Sequence, residues 1–283
     1  MTEFAILTHI MRGEHLAVLD DWVDFFGSSP SRLIAVGPPD PGVQESIQSW
    51  GKKRNVPIVL AAACEAKDIL PNETKYLNHQ FEVAATDLVA LIKLDTFPAR
   101  EGYSDWFSES LYLMRSTGAQ FITGSTKPFR ADEATVDPDF LLTRRVSNNF
   151  LVIEAPVWRR FQKLGSKLNH DFGRYFTEGA IEKICERDGD FGIRRLNSSN
   201  WRVFHTQAWG QEATRVRDAV KAGGRVLKPF LEGYQDDLFG RPLWEQYFMY
   251  AKPSRLKIWR IAFGRWRKAF LAKKVASSLS PPN

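Results

Sequence analysis

The stretch LVALIKLDTFPAREG, residues 88–102, places one carboxylate at the end of an apolar run. The apolar residues predict a strand over 88–94, buried in a sheet that is covered on both faces. Phe97 and Pro98 follow at once, and a proline is not expected in the interior of a sheet. Asp95 is therefore predicted to lie where a buried strand ends and the backbone leaves the sheet.

Other apolar runs repeat this pattern before and after it. Strands are predicted over 4–10, 32–36 and 56–62, and segments with helical spacing alternate with them at 14–26, 41–53 and 72–85. This alternation indicates βαβ units, an α/β fold and a mostly parallel central sheet flanked by helices. Ligands of such sheets bind beyond the carboxyl ends of the strands, which is the edge predicted for Asp95.

The second half of the chain continues with mixed elements. It predicts a helix over 104–117, a strand over 119–125, a polar loop over 126–147, and a strand that turns through Pro156 into a short helix over 148–161. A helix over 177–189 and a strand over 201–206 follow, and the pattern from 206 to 240 is helical and loop-like. We expect one α/β domain over 1–240 and a basic helical tail over 241–283.

Composition limits the cellular setting. Cys64 and Cys185 are 121 residues apart and form no metal-binding or redox spacing, which favours a reducing compartment, most simply the cytoplasm. The first 22 residues lack a cleavage site, so no secretory signal is expected. No run of about 18 apolar residues occurs, so membrane contact is expected to be peripheral.

The sequence lacks the common cofactor motifs. GxGxxG after a strand, GxxxxGK[ST], HExxH and GxSxG are all missing, which argues against Rossmann dehydrogenases, P-loop NTPases, zincins and α/β-hydrolases. A carboxylate such as Asp95 at a strand end has two interpretations. It caps the turn before Pro98, or it holds a divalent cation whose remaining ligands are phosphates.

The surroundings of Asp95 resemble a known family. The run KYLNHQFEVAATDLVALIKLDTFP is similar to the segment of family 2-like nucleotide-sugar glycosyltransferases of the GT-A fold that leads to their DxD metal motif. The resemblance places Lys75, Asn78, Asp87 and Asp95 on matching positions. Lys93-Leu94-Asp95 stands where Asp-x-Asp is expected; in an alternative register Asp95 is the first Asp and Phe97 replaces the second. It implies Mg2+ or Mn2+ as cofactor, Asp95 as metal ligand, and Lys75, Asn78 and Lys93 on the donor side.

The resemblance continues downstream in the same order. YFTEGAIEKICERDGDFGIRRL resembles the helix whose acidic residue removes the acceptor proton, which implies Glu178 as catalytic base, although Gly179 stands where a second acid is usual. A carboxylate at a helix N-terminus is also a common favourable charge without any catalytic role. His205 matches a late histidine that reaches the metal or diphosphate, or it is a buried structural histidine. The acceptor side is predicted to include Asn148, Asn149 and Trp158.

The first elements resemble the part of the family that holds the base and ribose of the donor. Thr8 in the first strand is predicted to line the donor side. RLIAVGPPD replaces a strand that ends in Asp-Asp-Gly-Ser, so Asp40 either contacts the nucleoside or belongs to a plain turn.

The tail differs in kind from the rest of the chain. Residues 246–283 contain nine Lys and Arg and no acidic residue. Because the whole chain has a formal charge of +6, residues 1–245 have a formal charge of −3. On a helix, RLKIWRIAFGRWRKAF (255–270) segregates apolar from basic residues, a pattern typical of helices that lie on anionic lipid. The alternatives are packing on the domain and binding of nucleic acid. The predicted membrane contacts are Trp259, Phe263, Trp266, Phe270, Arg260 and Arg267.

Together these features favour a glycosyltransferase that moves a sugar from a nucleotide-sugar donor to an acceptor hydroxyl of a surface polysaccharide or lipid-linked glycan. The resemblance implies metal dependence and inversion, and the tail favours peripheral attachment to the inner face of the membrane. Two alternatives stay open: a non-catalytic GT-A-like binding module at the membrane surface and, with less support, a basic nucleic-acid binder.

Overall fold

A computed structural model describes residues 3–36, 40–61, 86–101, 105–124, 134–137, 140–172, 177–196, 200–205, 210–223, 225–226, 259 and 263. The strands are β1 Ala5–His9, β2 Arg32–Val36, β3 Ile58–Ala61, β4 Leu88–Ile92, β5 Thr96–Arg100, β6 Phe121–Thr123, β7 Ala134–Asp137, β8 Phe140–Thr143, β9 Phe150–Glu154, β10 Gly192–Arg195 and β11 Trp201–His205. The helices are α1 His15–Phe26, α2 Pro41–Arg54, α3 Trp106–Thr117, α4 Ala155–Phe172, α5 Thr177–Asp188 and α6 Gln211–Ala222.

Nine of these strands form one twisted sheet in the order β3-β2-β1-β4-β9-β6-β10-β8-β7. The first four strands in that order are mutually parallel, and β10 is parallel to β6. Only β9 and β8 are antiparallel to their neighbours on both sides, so seven of the nine strands point the same way. The predicted α/β class with a mostly parallel central sheet flanked by helices is confirmed.

Helices cover both faces of the sheet because its central strands are apolar on both sides. One face packs against α1, α2 and α3, and its aromatic centre includes Trp22 and Phe150, whose ring centroids are 4.6 Å apart. The other face packs against α4 and α5 through Trp158, Phe161 and Ile184, all fully buried. Burial of this much apolar surface is the main force that holds the three layers together.

A second, two-stranded sheet of β5 and β11 lies outside the main sheet. We call it the ribbon. It is antiparallel, with His205 paired to Thr96 and Val203 paired to Pro98. The Trp22 indole N–H on α1 donates to the carbonyl oxygen of Thr96 at 3.0 Å, which fixes the ribbon against the domain.

The other end of the ribbon is tied to α6. Arg202 on β11 donates from Nε to the carbonyl oxygen of Val220 at 2.6 Å, close to the end of α6. Helix α6 is in turn linked to α1, where buried Asp21 accepts from Arg217 and from Lys221 Nζ at 2.8 Å. The ribbon is therefore held by contacts to α1 and α6.

The structure corrects three predictions of secondary structure and adds one strand. The loop expected over 126–147 contains β7 and β8, and the apolar Phe140-Leu141-Leu142 of β8 pairs with β10. Strand β10 was not predicted, because its two arginines obscure its buried character. The helix after Pro156 is not short but extends through α4 to Phe172. Pro98 does not simply end a strand: it lies within β5, in a ribbon that has only two strands.

Some predictions lie outside the described residues. The helix over 72–85 and the domain boundary at 240/241 belong to this group, and both stay predictions. Within the part of the chain that the structure describes, no helix has the length and apolarity needed to cross a bilayer.

Candidate functional site

The candidate site lies at one edge of the main sheet, which we call the carboxyl edge. Strands β1 and β4 both end there because they are parallel, with Thr8 level with Ile92. Strand β9 runs the opposite way and begins there, with Phe150 level with Ile92. The segments that follow β1 and β4 and the segment that precedes β9 therefore meet at this edge.

Asp95 and His205 meet at the carboxyl edge although 110 residues separate them in sequence. After β4, a tight turn in which the Thr96 N–H donates to the Lys93 carbonyl oxygen at 3.0 Å leads into the ribbon. Asp95 precedes β5, and His205 is the last residue of β11 on the paired strand. His205 Nε2 lies 3.5 Å from Asp95 Oδ2, and both side chains are largely buried, with 20% and 12% of their surfaces exposed.

Glu178 is connected to the same edge through the segment before β9. Its Oε1 accepts the backbone N–H of Asn148 at 2.7 Å, which fixes the carboxylate at the N-terminus of α5. The next residue, Asn149, accepts the backbone N–H of Lys93 through its carbonyl oxygen at 2.9 Å. A continuous chain of short contacts thus leads from Glu178 to the turn that carries Asp95.

Two further histidines that the sequence analysis did not select lie at this edge. His9 is the last residue of β1, and His15 is the first residue of α1 and accepts the Met11 N–H through Nδ1 at 3.2 Å. Burial lowers the pKa of His9 to about 4, with the nearby Lys93 ammonium adding to the effect. Burial also lowers the pKa of His15, an effect that the Asp95 carboxylate opposes. Both imidazoles are therefore neutral near pH 7.

The lowered pKa of His9 predicts a loss of stability in acid. The pKa of His9 in the folded protein lies below the ordinary 6.5, so the unfolded chain takes up a proton first as the pH falls. The contribution of His9 to folding stability is therefore complete above about pH 6.5 and is lost as the pH falls toward 4. The loss attributable to His9 is roughly 3 kcal/mol of the free energy of unfolding. Urea unfolding of wild type and His9→Gln near neutrality and in acid measures it. A His9→Gln variant whose stability falls as steeply as that of wild type would contradict the assignment.

The remaining predicted donor-side residues are placed as follows. Thr8 is fully buried within β1, and Lys93 is half-buried next to His9. Asp40 is the N-cap of α2, where its Oδ1 accepts the Gly42 N–H at 2.8 Å, and its contact with a nucleoside stays a prediction. Asp87 is exposed at the start of β4, at the opposite edge. Lys75 and Asn78 lie outside the described residues.

On the predicted acceptor side the structure separates the asparagines from the tryptophan. Asn148 and Asn149 lie at the carboxyl edge and are 5% and 8% exposed. Trp158 is fully buried in the core beneath α4, so it packs against the sheet and does not reach this edge. Of the predicted membrane contacts, Trp259 and Phe263 are described and exposed; Trp266, Phe270, Arg260 and Arg267 lie outside the described residues.

The site offers a limited set of groups for a metal ion. Asp95 Oδ1 is buried and accepts no hydrogen bond from any residue that the structure describes, and His205 Nε2 is close to the other oxygen. A carboxylate oxygen is a ligand for Mg2+ or Mn2+, and an imidazole nitrogen is less suited to Mg2+, which prefers oxygen ligands. Among the described ranges no group of three His, Cys, Asp or Glu is arranged to hold a metal. Such a site would thus need ligands beyond Asp95 and His205.

No protein-family model matches the sequence, and no curated protein matches it. Among solved structures, the chain is similar to a UDP-glucose pyrophosphorylase complexed with UDP-glucose, with 7% identity, a TM-score of 0.49, and coverage of 72% of this chain and 93% of that one. It is also similar to a mannosyltransferase from Pyrobaculum calidifontis in complex with GDP-Man and Mn2+, with 13% identity, a TM-score of 0.45, and coverage of 77% and 61%.

A third similar structure is a 4-diphosphocytidyl-2C-methyl-D-erythritol synthase from Anaerococcus prevotii, with 11% identity, a TM-score of 0.40, and coverage of 75% and 94%. These neighbours are nucleotidyltransferases and a glycosyltransferase. The likeness is too distant to assign an activity to this chain, so its function has to be argued from its own residues.

Proposed function

We propose that this protein is a glycosyltransferase that moves a sugar from a nucleotide-sugar donor to an acceptor hydroxyl of a surface polysaccharide or lipid-linked glycan, with inversion at the anomeric carbon. The observation that carries the proposal is the approach of His205 Nε2 to Asp95 Oδ2 at the carboxyl edge. In open α/β sheets this edge is where ligands bind. The sequence resemblance implies a metal or diphosphate role for the same two residues.

The donor diphosphate is assigned to the turn after β4. Lys93 adds a positive charge there, and His9 and His15 are neutral hydrogen-bonding groups near pH 7. Asp95 and His205 would hold Mn2+ or Mg2+, and the buried Asp95 Oδ1 is suited to that task. A bound divalent cation would neutralise the negative charge that grows on the diphosphate as it leaves.

The proton-accepting role is assigned to Glu178. Its carboxylate is held by the Asn148 N–H, so its orientation is fixed before an acceptor binds. In this assignment an oxygen of Glu178 accepts the proton of the acceptor hydroxyl while that hydroxyl oxygen bonds to the anomeric carbon and the diphosphate leaves from the opposite side. Asn148 and Asn149 lie next to it and would orient the acceptor.

A direct test is calorimetric titration of the whole protein with UDP, GDP, ADP and CDP, each with and without Mn2+. At least one nucleoside diphosphate is expected to bind, and Mn2+ is expected to increase its affinity. Absence of binding by all four, in the presence and absence of Mn2+, would contradict the proposal. A matched titration of His205→Gln should reduce the effect of Mn2+ and leave the weaker metal-free binding in place.

The second candidate is a non-catalytic module of the same fold at a membrane surface. One observation favours it: Lys93 occupies the position of the first acid of a DxD motif, which leaves Asp95 alone. This candidate expects nucleotide binding without turnover. Incubation of a bound nucleotide sugar with the protein, followed by measurement of released nucleoside diphosphate, separates the two functions.

A further inference from the structure

The end of the chain carries a charge pattern that the proposed transfer reaction does not explain. Residues 246–283 include nine basic and no acidic side chains, whereas residues 1–245 sum to −3. Four aromatic residues, Trp259, Phe263, Trp266 and Phe270, are spaced at i, i+4, i+7 and i+11. This spacing places them along one side of a helix, since each step is close to a whole number of turns.

The structure describes two of these aromatic residues, and both are exposed. Trp259 and Phe263 are helical and have 71% and 60% of their surfaces exposed. Elsewhere most large aromatic side chains of the described residues are buried; Trp22, Trp106 and Phe150 are examples. Exposure of two neighbouring aromatic residues argues against the alternative in which this side of the helix packs on the domain.

We infer that residues 255–270 form an interfacial helix that docks the protein on an anionic lipid surface. On a helical projection Arg260 and Arg267 border the aromatic side and Lys268 lies opposite it, so the aromatic side enters the interface while the basic side chains reach lipid headgroups and water. Nucleic acid is less suitable as a partner, because binding of single strands places bases on aromatic residues that lie within a basic groove, and here the two kinds of residue are segregated.

The magnitude of the effect follows from the charge and the apolar area. Each basic residue near an anionic surface strengthens binding by about five-fold, so loss of two charges should weaken it by about 25-fold at low salt. Loss of a Trp or Phe side chain from the interface should weaken binding by about ten-fold or more. The electrostatic part declines as salt shortens the Debye length.

The test is co-sedimentation of the whole protein, without donor or acceptor, with vesicles of phosphatidylcholine alone or with about 30% phosphatidylglycerol. Wild type is expected to bind only the anionic vesicles. The Trp259→Ala/Phe263→Ala and Arg260→Gln/Arg267→Gln variants are expected to lose most of this binding. Tyr112→Ala is the matched control for removal of an exposed aromatic side chain, because Tyr112 on α3 is 71% exposed like Trp259.

Three results would overturn the inference: no binding to anionic vesicles, equal binding to neutral vesicles, or unchanged binding by the aromatic and basic variants. If the protein binds mixed-sequence RNA more tightly than anionic vesicles, and the same variants abolish that binding, nucleic acid is the partner instead. Thermal unfolding of each variant shows that the domain is intact. Because no nucleotide is present, the outcome is independent of the proposed transfer activity.

Discussion

Asp95→Ala should lower the rate of nucleoside diphosphate release from the donor by about 100- to 1,000-fold, the usual cost of removing a group that stabilises charge in a transition state. Asp95 combines a buried oxygen that accepts no hydrogen bond within the described residues with a close approach to His205. The stimulation of turnover by Mn2+ should disappear in the same variant. Initial rates at several Mn2+ concentrations provide the measurement.

The control for Asp95→Ala is Asp87→Asn. Asp87 precedes the same strand, β4, but is exposed at the edge opposite the site, so its loss should leave turnover unchanged. If Asp95→Ala retains full turnover and full stimulation by Mn2+, Asp95 has no role in holding a cation. Asp95 would then be a turn residue before β5, as one interpretation of the sequence states.

Glu178→Gln should reduce kcat for transfer to an acceptor by about 100- to 10,000-fold, the typical contribution of a positioned general base. The amide oxygen of the substituted side chain can still accept the Asn148 N–H that Glu178 accepts in the native protein at 2.7 Å, so the side chain keeps its place and loses only its basicity. The KM for the donor should therefore stay within about two-fold of the wild-type value. Steady-state kinetics with varied donor measure both parameters.

Glu186→Gln is the matched control, since Glu186 lies on the same helix in an exposed pair with Lys183. A surface pair of this kind contributes little to stability, so kcat should not change. Equal kcat for Glu178→Gln and wild type would show that Glu178 only provides a favourable charge at the start of α5. A rise in donor KM with unchanged kcat would assign it to binding.

The sequence predicted the central layers of the fold because their signals are local. Strands β1, β2 and β4 are short and mostly apolar, and the intervening helices have an apolar period, so the order and parallel pairing of these strands follow from general rules. Strand β10 could not be found in this way. Arg194 and Arg195 of this strand have only 1% and 3% of their surfaces exposed. Only tertiary contacts, including the 4.5 Å approach of the Arg195 guanidinium to the Trp201 ring, make this burial favourable.

The site was predictable to the extent that it depends on strand ends. The rule that selected Asp95 after β4 also applies to His9 at the end of β1, so that histidine could have been found with the same argument. Trp158 lies in the core and not beside Asn149, because closeness in sequence does not reveal that α4 turns this side chain toward the sheet. His15 reaches the edge only through the packing of α1, which no local pattern reveals.

The pairing of β5 with β11 has a geometric consequence. Asp95 directly precedes one strand of the ribbon and His205 ends the other, so the pairing of Thr96 with His205 sets the separation of the two functional groups. Glu178 belongs to a different element, α5, and is anchored by the Asn148 backbone N–H. The pairing of two strands thus presets the geometry of the Asp95 and His205 pair, whereas α5 positions Glu178 separately.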